Sequence, residues 1–544
     1  MSEDLVKIEV NGRQLEAPKG RMLIEVTDQA GITVPRFCYH KKLSVAANCR
    51  MCLVEVEKAP KPLPACATPV MDGMKVHTQS PKAIAAQKAT MEFLLINHPL
   101  DCPICDQGGE CELQDVAMGY GSGVSQFTEG KRVVKDKDIG PLIKTEMTRC
   151  IHCTRCVRFG EEIAGLRELG ATGRGEDMQI GTYIEKSLIS ELSGNVIDLC
   201  PVGALTSKPA RYEGRSWEYY QYAGVAPHDS VGSNIFLHVL RNRVMRVVPR
   251  ENEAINETWI ADRDRFSYQG LYSDDRALTP MVRRSKTLEN ADWEEALEAA
   301  AKGLQGVINH HGPEQVGVMI SPNATLEEIY LLQKLARGLG ITAIDHRLRQ
   351  ADFSDQQQAP AYPWLGMGIA DLEQLNGVLL VGANPRLEQP LFGHRLRKAA
   401  LAGATISLIN PRSYQFTFPV AGEIVTGPAG MVAALGAVAV AVAESSGQPL
   451  PEALRPLAGA VEDDHRDMAQ SLLQGRNRAL LLGNLATSHP ALAQLRALGV
   501  FIARISGATL GYLPEAANAV GGWLAGALPH RQAGGKAAKG GFNA

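Results

Sequence analysis

Residues 149–158 read Arg-Cys-Ile-His-Cys-Thr-Arg-Cys-Val-Arg, so that Cys150, Cys153 and Cys156 are each separated by two residues. A fourth cysteine, Cys200, follows after forty-three intervening residues and precedes a proline. Three closely spaced thiolates with a remote Cys-Pro pair are typical of the segment that binds a 4Fe-4S cluster in bacterial ferredoxins. Residues 195–199 do not repeat the triplet, so the pattern indicates one cluster of this kind.

A second set of candidate ligands lies upstream and consists of His98, Cys102, Cys105 and Cys111. His98 ends a predicted helix directly ahead of the three cysteines, and the glycines at 108 and 109 let the backbone pass close to a metal. One imidazole and three thiolates hold either a 4Fe-4S cubane or a single zinc ion, and the spacing does not separate these two possibilities.

The set nearest the N-terminus contains Cys38, Cys49, Cys52 and Cys66. Three ligands close together on a loop and a fourth beyond the next strand favour a 2Fe-2S cluster, because four thiolates must converge while the loop wraps the inorganic core. A structural zinc site is the alternative for this set taken alone.

The three sets are referred to below, in chain order, as the first, second and third ligand groups. All eleven cysteines lie between residues 38 and 200, and residues 201–544 contain none. In a reducing cytoplasm, thiols grouped in this way are more often metal ligands than disulfides, and an odd number leaves a disulfide framework one cysteine short. Eleven cysteines and His98 supply the twelve ligands of one 2Fe-2S and two 4Fe-4S clusters, whereas zinc would have to explain all three groups at once.

The pattern around these groups predicts small mixed domains. Residues 4–10 and 53–57 alternate apolar and polar side chains as half-buried strands do, and residues 20–30 read as a helix, which together predict a β-grasp domain. Pro81 opens a predicted helix over 82–96. The glycine- and serine-rich stretch 119–130 reads as a linker.

The second half of the chain alternates apolar, strand-like runs with helical ones, which predicts parallel α/β units. The predicted strands are 316–320, 377–381, 405–409 and 479–482, and the predicted helices include 326–339 and 391–401. The longest apolar stretch, 429–443, is shorter than the roughly twenty residues that span a bilayer, so we expect a buried helix there and no direct membrane span.

The composition and the motifs argue against several classes of function. A net charge of -3 gives no basic field for binding phosphates, so we expect no nucleic-acid partner. Residues 1–10 lack the basic and apolar regions of an export signal, which favours the cytoplasm. We find no convincing glycine-rich dinucleotide fingerprint either, so we expect no independent NADH or quinone site in this chain.

The three groups in this order resemble those of a known family, the large iron–sulfur subunits of the bacterial proton-pumping NADH-quinone oxidoreductases (respiratory complex I). The most specific pieces are residues 97–105, residues 149–158 and the stretch Cys-Pro-Val-Gly-Ala from Cys200. The resemblance implies that the first group holds a 2Fe-2S cluster, the second a histidine-ligated 4Fe-4S cluster and the third an all-cysteine 4Fe-4S cluster.

The resemblance also implies a multidomain α+β and α/β fold. The expected domains are a β-grasp 2Fe-2S ferredoxin-like domain (1–80), a small helical 4Fe-4S domain with one histidine and three cysteine ligands (81–120), a ferredoxin-like region with one 4Fe-4S cluster (121–216), a molybdopterin-oxidoreductase-type N-terminal 4Fe-4S-like domain lacking its cluster (217–275), and an incomplete molybdopterin-oxidoreductase-like α/β domain with parallel sheets (276–544).

Residues 226–232 have no thiol where catalytic relatives of this domain begin a further four-cysteine site, and Ala261 stands where the last of those cysteines would fall. We therefore expect no cluster there. No thiol downstream is available to ligate molybdenum, so we expect a scaffold without molybdopterin, although the sequence leaves an oxygen-ligated cofactor open.

As implied by the family, the chain relays single electrons within a proton-translocating NADH:quinone oxidoreductase. The implied partners are the FMN- and NADH-binding subunit, a small 2Fe-2S subunit, and the quinone-proximal ferredoxin-like and hydrogenase-like subunits. The implied location is peripheral, on the cytoplasmic side of the bacterial inner membrane. The alternative is a diaphorase-type relay subunit of an NAD-linked hydrogenase or formate dehydrogenase, whereas an iron-only hydrogenase is opposed by the cysteine-free C-terminal part.

Overall fold

A computed structural model describes residues 4–184, 186–349, 352–357, 359–538 and 540–543. The chain divides into two compact units. Unit 1 comprises Met1–Tyr222 and Leu237–Val248, and unit 2 comprises Ala223–Phe236 and Pro249–Ala544.

Unit 1 begins with a five-stranded mixed sheet. Its elements are strands β1 (Leu5–Val10) and β2 (Arg13–Pro18), helix α1 (Leu23–Gln29), and strands β3 (Leu53–Val56), β4 (Leu63–Pro64) and β5 (Lys75–His77). The strand order is β2-β1-β5-β3-β4, with β1 and β5 parallel and the other neighbours antiparallel. Helix α1 buries its apolar face, so the predicted β-grasp arrangement is confirmed.

Two helices flank the second ligand group. Helix α2 (Pro81–Leu95) begins at Pro81, as predicted, and the Ser80 hydroxyl accepts a hydrogen bond from the backbone N–H of Ala83 over 3.2 Å. Helix α3 (Glu112–Tyr120) extends into the predicted linker, because Gly119 lies within its last turn and the helix ends only before Gly121. The prediction that the linker starts at 119 was therefore wrong by two residues.

The remainder of unit 1 consists of short elements separated by loops. They are β6 (Ile143–Thr145), α4 (Arg155–Arg158), a π-helical turn (Phe159–Ala164), β7 (Gly170–Thr172), β8 (Gln179–Gly181), α5 (Asn195–Leu199) and β9 (Leu205–Ser207). Strand β6 pairs antiparallel with β9, and this pairing brings the neighbourhood of Cys200 to that of Cys150. Strands β7 and β8 form a separate hairpin.

The next elements are β10 (Tyr220–Val225), β11 (Asn234–Leu240), β12 (Arg243–Pro249), α6 (Asp262–Phe266), the antiparallel hairpin β13 (Met281–Arg284) and β14 (Thr287–Asn290), and α7 (Trp293–His311). They are followed by a small parallel pair, β15 (Gly317–Met319) and β16 (Ala343–Asp345), connected through α8 (Leu326–Gly338).

A five-stranded parallel sheet forms the centre of unit 2. Its strands are β17 (Gly377–Val381), β18 (Thr405–Asn410), β19 (Gly422–Val425), β20 (Arg478–Leu482) and β21 (Thr509–Tyr512), in the order β19-β18-β17-β20-β21. The helices are α9 (Pro385–Glu388), α10 (Pro390–Leu401), α11 (Pro428–Ser446), α12 (Asp463–Leu473), α13 (Asn484–Thr487), α14 (Leu492–Ser506) and α15 (Ala519–Ala525). The predicted parallel α/β architecture is confirmed.

The burial of its strands and helices explains why the α/β fold of unit 2 could be predicted from the sequence. All five residues of β17 are buried, as expected of a parallel strand covered by helices on both faces. Helix α11 packs into the same core through residues such as Leu435 and Val438. Among the described residues it is also the one helix long and apolar enough to cross a membrane by length and composition, with 56% of its most apolar window buried.

The two ends of the chain are described only in part. Residues 1–3, part of the N-terminal stretch 1–10 that lacks the pattern of an export signal, lie outside the described residues. Residues 539 and 544, in the terminal stretch 536–544, do so too. The described remainder of that terminal stretch forms an isolated bridge between Arg531 and Ala537 and no helix or longer strand.

Candidate iron–sulfur cluster sites

The four thiols of the first group converge in the β-grasp domain. All four residues are 1 to 8% exposed: Cys38, Cys49, Cys52 and Cys66. The backbone N–H of Cys38 donates to Cys49 Sγ over 3.4 Å, and side-chain hydrogen bonds join Cys38 to Cys49 and Cys66. Ala47 and Arg50 have positive φ angles of 53° and 59°, so the loop between the first ligands turns tightly around the thiols.

These contacts couple the protonation of the thiols. Hydrogen bonds from Cys49 and Cys66 lower the pKa of Cys38, whereas the hydrogen bonds that Cys66 makes to Cys38 and Cys52 raise the pKa of Cys66. The group therefore shares protons that a bound metal core would displace.

The four residues of the second group line one cavity of about 240 Å³. Burial lowers the pKa of His98 to about 4, and the imidazole also hydrogen-bonds to the backbone of Arg149. A neutral ring fixed through one nitrogen leaves the other available to a metal. Gly203 closes the cavity wall, because a Cβ at this position would lie 2.1 Å from Cys105 Sγ.

Three of the four thiols of the third group are buried, and Cys150 is half-buried. Burial raises the pKa of Cys150, Cys153 and Cys200 to about 12 each. Burial also raises the pKa of Cys156, and Cys153, Cys150 and Cys200 raise it further through their charges, so the four thiols lie close enough to interact.

Backbone N–H groups point at these sulfurs. His152 and Thr154 have φ angles of 53° and 61°, and the N–H of His152 donates to Cys150 Sγ over 3.4 Å. Backbone N–H groups of residues 202, 204 and 205 donate to Cys200. Hydrogen bonds to the sulfurs are one of the means by which a protein sets the potential of an iron–sulfur cluster.

The donor chemistry fits iron–sulfur cores. All eleven cysteines are free of disulfides. Within the part of the chain that the structure describes, no three His, Cys, Asp or Glu side chains are arranged as a site for a single metal ion. Buried thiols with raised pKa values ionise only beside positive charge, and thiolates and imidazole are the ligands that iron–sulfur clusters take from proteins.

Three cations in this region are buried or partly buried, which was not foreseen from the sequence. Arg149 and Arg155 are 3% and 4% exposed, and Arg158 is partly buried. The available signal was their position, since each lies beside a cysteine or one residue from it in the stretch 149–158.

Ion pairs occur in unit 2 within the thiol-free stretch 223–269. His228 Nδ1 lies 2.9 Å from Asp264 Oδ1, and Arg263 Nη2 lies 2.6 Å from Asp229 Oδ2. Burial raises the pKa of Asp229, and the charge of Asp264 raises it further. Ala261, in the same stretch, is 1% exposed.

A cavity of about 510 Å³ in unit 2 lies at the carboxyl ends of its parallel strands, the usual ligand position in such sheets. Three arginines contribute to its wall, and each is paired with a carboxylate: Arg347 with Asp345, Arg349 with Glu515, and Arg496 with Asp355. Residues 201–544 have no thiol, so this cavity does not fit a thiolate-ligated molybdenum.

Sequence models of five families match this chain. They are a 2Fe-2S iron-sulfur cluster binding domain (3–81), the NADH-ubiquinone oxidoreductase-G iron-sulfur binding region (87–125), the ferredoxin-like domain of NADH-quinone oxidoreductase subunit 3 (140–206), the NDSU1/NuoG-like 4Fe-4S domain of NADH-ubiquinone oxidoreductase (223–269) and molybdopterin oxidoreductase (276–507). Together with the fold, these matches define an iron–sulfur protein with a molybdopterin-oxidoreductase-type domain.

Curated relatives narrow this class. The NADH-quinone oxidoreductase G subunit of Rickettsia bellii is 45% identical over 401 residues, which are 74% of this chain and 58% of the relative. The NADH-ubiquinone oxidoreductase 75 kDa subunit of Reclinomonas americana is 47% identical over 416 residues, which are 73% of this chain and 59% of the relative. The chain is therefore homologous to the G subunit of NADH-quinone oxidoreductase, and it spans less than two thirds of the length of these relatives.

One solved structure shows a partial likeness. A chain of an NAD+-reducing [NiFe]-hydrogenase in the H2-reduced state is 24% identical, with a TM-score of 0.36 over 38% of this chain and 90% of its own length.

Proposed function

We propose that this chain is the iron–sulfur electron-relay subunit of a proton-translocating NADH-quinone oxidoreductase. The observation that supports this most directly is the presence in unit 1 of three separate donor groups in the order of the matched family regions. The first group is buried, the second lines a cavity, and the third has three of its four thiols buried. In that role the chain passes electrons from the FMN- and NADH-binding subunit towards quinone, and the whole complex couples the transfer to proton translocation.

The proposed ligand sets follow the three groups. Cys38, Cys49, Cys52 and Cys66 hold a 2Fe-2S cluster, His98, Cys102, Cys105 and Cys111 hold a 4Fe-4S cluster, and Cys150, Cys153, Cys156 and Cys200 hold a second 4Fe-4S cluster. Bound clusters of these types each take up and release one electron. The chain contributes thiolates and one imidazole, shields the sites by burial, and donates backbone hydrogen bonds to sulfur.

The proposed partners are the FMN- and NADH-binding subunit, a small 2Fe-2S subunit, and the ferredoxin-like and hydrogenase-like subunits close to quinone. The proposed location is the cytoplasmic side of the bacterial inner membrane, where the chain is held peripherally through these subunits. Homology to named subunits of this enzyme supports both proposals.

For the α/β domain of unit 2 we propose a scaffold role without molybdopterin. The thiol-free sequence and the pairing of Arg347, Arg349 and Arg496 with carboxylates support this role. Metal analysis of the purified chain should find no molybdenum or tungsten, and a stoichiometric amount of either metal would contradict the proposal.

The main test is the metal and sulfide content of protein prepared without oxygen. We expect about ten irons and a similar amount of acid-labile sulfide per chain, the total of one 2Fe-2S and two 4Fe-4S clusters. Zinc without sulfide would contradict the proposal. Co-purification with flavin and quinone-linked subunits is expected, whereas co-purification with a hydrogenase would favour the diaphorase-type alternative.

A further inference from the structure

Arg155 makes hydrogen bonds close to all three ligand groups. Its Nη2 donates to the carbonyl oxygen of Tyr39, the residue after Cys38, over 2.9 Å. Its Nη1 donates to the carbonyl oxygen of Leu199, the residue before Cys200, over 3.3 Å. Both Nη atoms also bind the carboxylate of Glu112, the residue after Cys111, at 2.7 and 3.1 Å. One guanidinium therefore bonds to a neighbour of a ligand in each group.

Two nearby arginines each connect a pair of groups. Arg149 binds Asp101 Oδ2 over 2.9 Å and the carbonyl of Gly203 over 3.3 Å, and so joins the second and third groups. Arg158 donates to the carbonyl of Cys38 over 2.5 Å and to that of Cys153 over 3.2 Å, and so joins the first and third. Arg155 is thus the side chain on which the three loops meet.

Arg155 also carries a permanent positive charge although it is buried. It is 4% exposed, and a guanidinium keeps its proton throughout the physiological pH range. Burial acts to lower its pKa, but the carboxylate of Glu112 and the thiols of Cys153 and Cys200 raise it overall. Its Nε has no hydrogen-bond partner among the described residues, which leaves one buried donor uncommitted near the third group.

We propose that Arg155 is a positioning residue shared by the three cluster sites. Its guanidinium fixes the spacing of the ligand loops, and its charge favours the reduced state of the third cluster. This inference rests on the proposed function. The step it acts on is the arrival of one electron at the third cluster from a neighbouring cluster, with no bond made or broken and no proton moved. A fixed cation nearby stabilises the added negative charge, and it does so more strongly in a medium less polar than water.

The test uses the full chain, loaded with iron and sulfide without oxygen, and compares Arg155→Gln, Arg155→Lys and Glu112→Gln. Iron content is measured first, and the potential of each cluster is then obtained from an EPR redox titration. Arg167→Gln is the matched control, because Arg167 is 78% exposed and pairs with Glu161 on the surface of the same unit.

In Arg155→Gln we expect the third cluster to become harder to reduce, with at least a tenfold change in the ratio of oxidised to reduced forms, or about 59 mV for one electron. Arg155→Lys keeps the charge and should recover most of that shift. Glu112→Gln removes a negative charge and should shift the potential in the opposite direction. A residue that only maintained the fold would not give opposite shifts for the two partners of one ion pair.

Two results separate this inference from the function on which it rests. If the unsubstituted chain takes up no iron, the proposed function fails and the inference fails with it. If Arg155→Gln carries the full iron content but its third cluster keeps the parent potential, only the inference is overturned. Should Arg155→Gln not bind iron, Glu112→Gln decides the matter, and a parent-like potential of the third cluster in that variant would overturn the inference.

Discussion

The loops around Cys150 and Cys200 in unit 1 and the segments around His228 and Asp264 in unit 2 both match regions named for iron–sulfur domains, yet they differ in what fills them. The first has four thiols, three of them buried, together with backbone N–H groups directed at sulfur and an adjacent buried arginine. The second has no thiol, and its histidine, arginine and aspartates form ion pairs. Side-chain ion pairs are therefore present in the second region, where the first region has thiols.

The prediction with the largest expected effect concerns the thiol ligands of unit 1. Cys200→Ala removes the remote ligand of the third group, and we expect the loss of about four of the ten irons per chain, with the other two clusters retained. Iron and sulfide analysis of anaerobic protein measures the loss. Asp264→Ala in unit 2 is the matched control, and a similar loss of iron in that variant would refute the contrast.

The second prediction concerns the ion pairs themselves. Asp264→Ala leaves the His228 ring without its carboxylate partner, and the Asp264 side chain is fully buried in the parent. We expect a loss of about 1–3 kcal/mol in the free energy of unfolding, because the substitution removes a hydrogen bond to a carboxylate. Denaturant unfolding of the metal-free chain measures this cost, with the exposed-residue variant Leu331→Ala expected to stay within about 0.5 kcal/mol of the parent. Equal stability of the parent and Asp264→Ala would show that the ion pair does not hold this segment.

A third prediction concerns the space reserved for a cluster. Gly203→Ala would bring a Cβ within 2.1 Å of Cys105 Sγ, so we expect weaker binding of the second cluster and a cost of about 1–3 kcal/mol from overpacking. The control is Gly119→Ala in helix α3, where no atom lies within 4 Å of the added Cβ and a modest gain in stability is expected. The EPR signal of the second cluster and thermal unfolding distinguish the two variants, and identical behaviour would contradict the close approach.

The smallest effect is a pH dependence in the metal-free chain. Burial holds the pKa of His98 at about 4, below its usual value of 6.5, so between these pH values the unfolded chain binds a proton that the folded chain does not. Stability should therefore fall as the pH drops from about 6.5 to about 4. His98→Gln should flatten this dependence, whereas replacement of the exposed His310 by glutamine should not, and an unchanged slope in His98→Gln would contradict the assigned burial.

Periodicity and spacing were sufficient for much of the fold. The strand predicted at 377–381 has the observed bounds, because an uninterrupted apolar run between turn residues leaves few alternatives. The convergence of each ligand group was likewise predictable, since cysteine spacing constrains which loop must fold back on which.

Other features depend on tertiary contacts that no local pattern reports. Arg155 reads as a surface residue, because arginine is seldom fully buried, and only the folded chain places it between Tyr39, Glu112 and Leu199. The need for glycine at 203 arises from a sulfur almost one hundred residues away in the sequence. The helix that continues through Gly119 shows the same limit, since glycine content alone predicted a linker there.

The presence of three iron–sulfur clusters in unit 1 is tested most directly by EPR spectroscopy of the full chain after reduction with dithionite, with the signals integrated against the protein concentration. We predict one signal from a 2Fe-2S cluster and two from 4Fe-4S clusters, together about three spins per chain, with the third cluster's signal absent from Cys200→Ala. A colourless protein without these signals, prepared under conditions that load iron and sulfide, would contradict the three-cluster assignment.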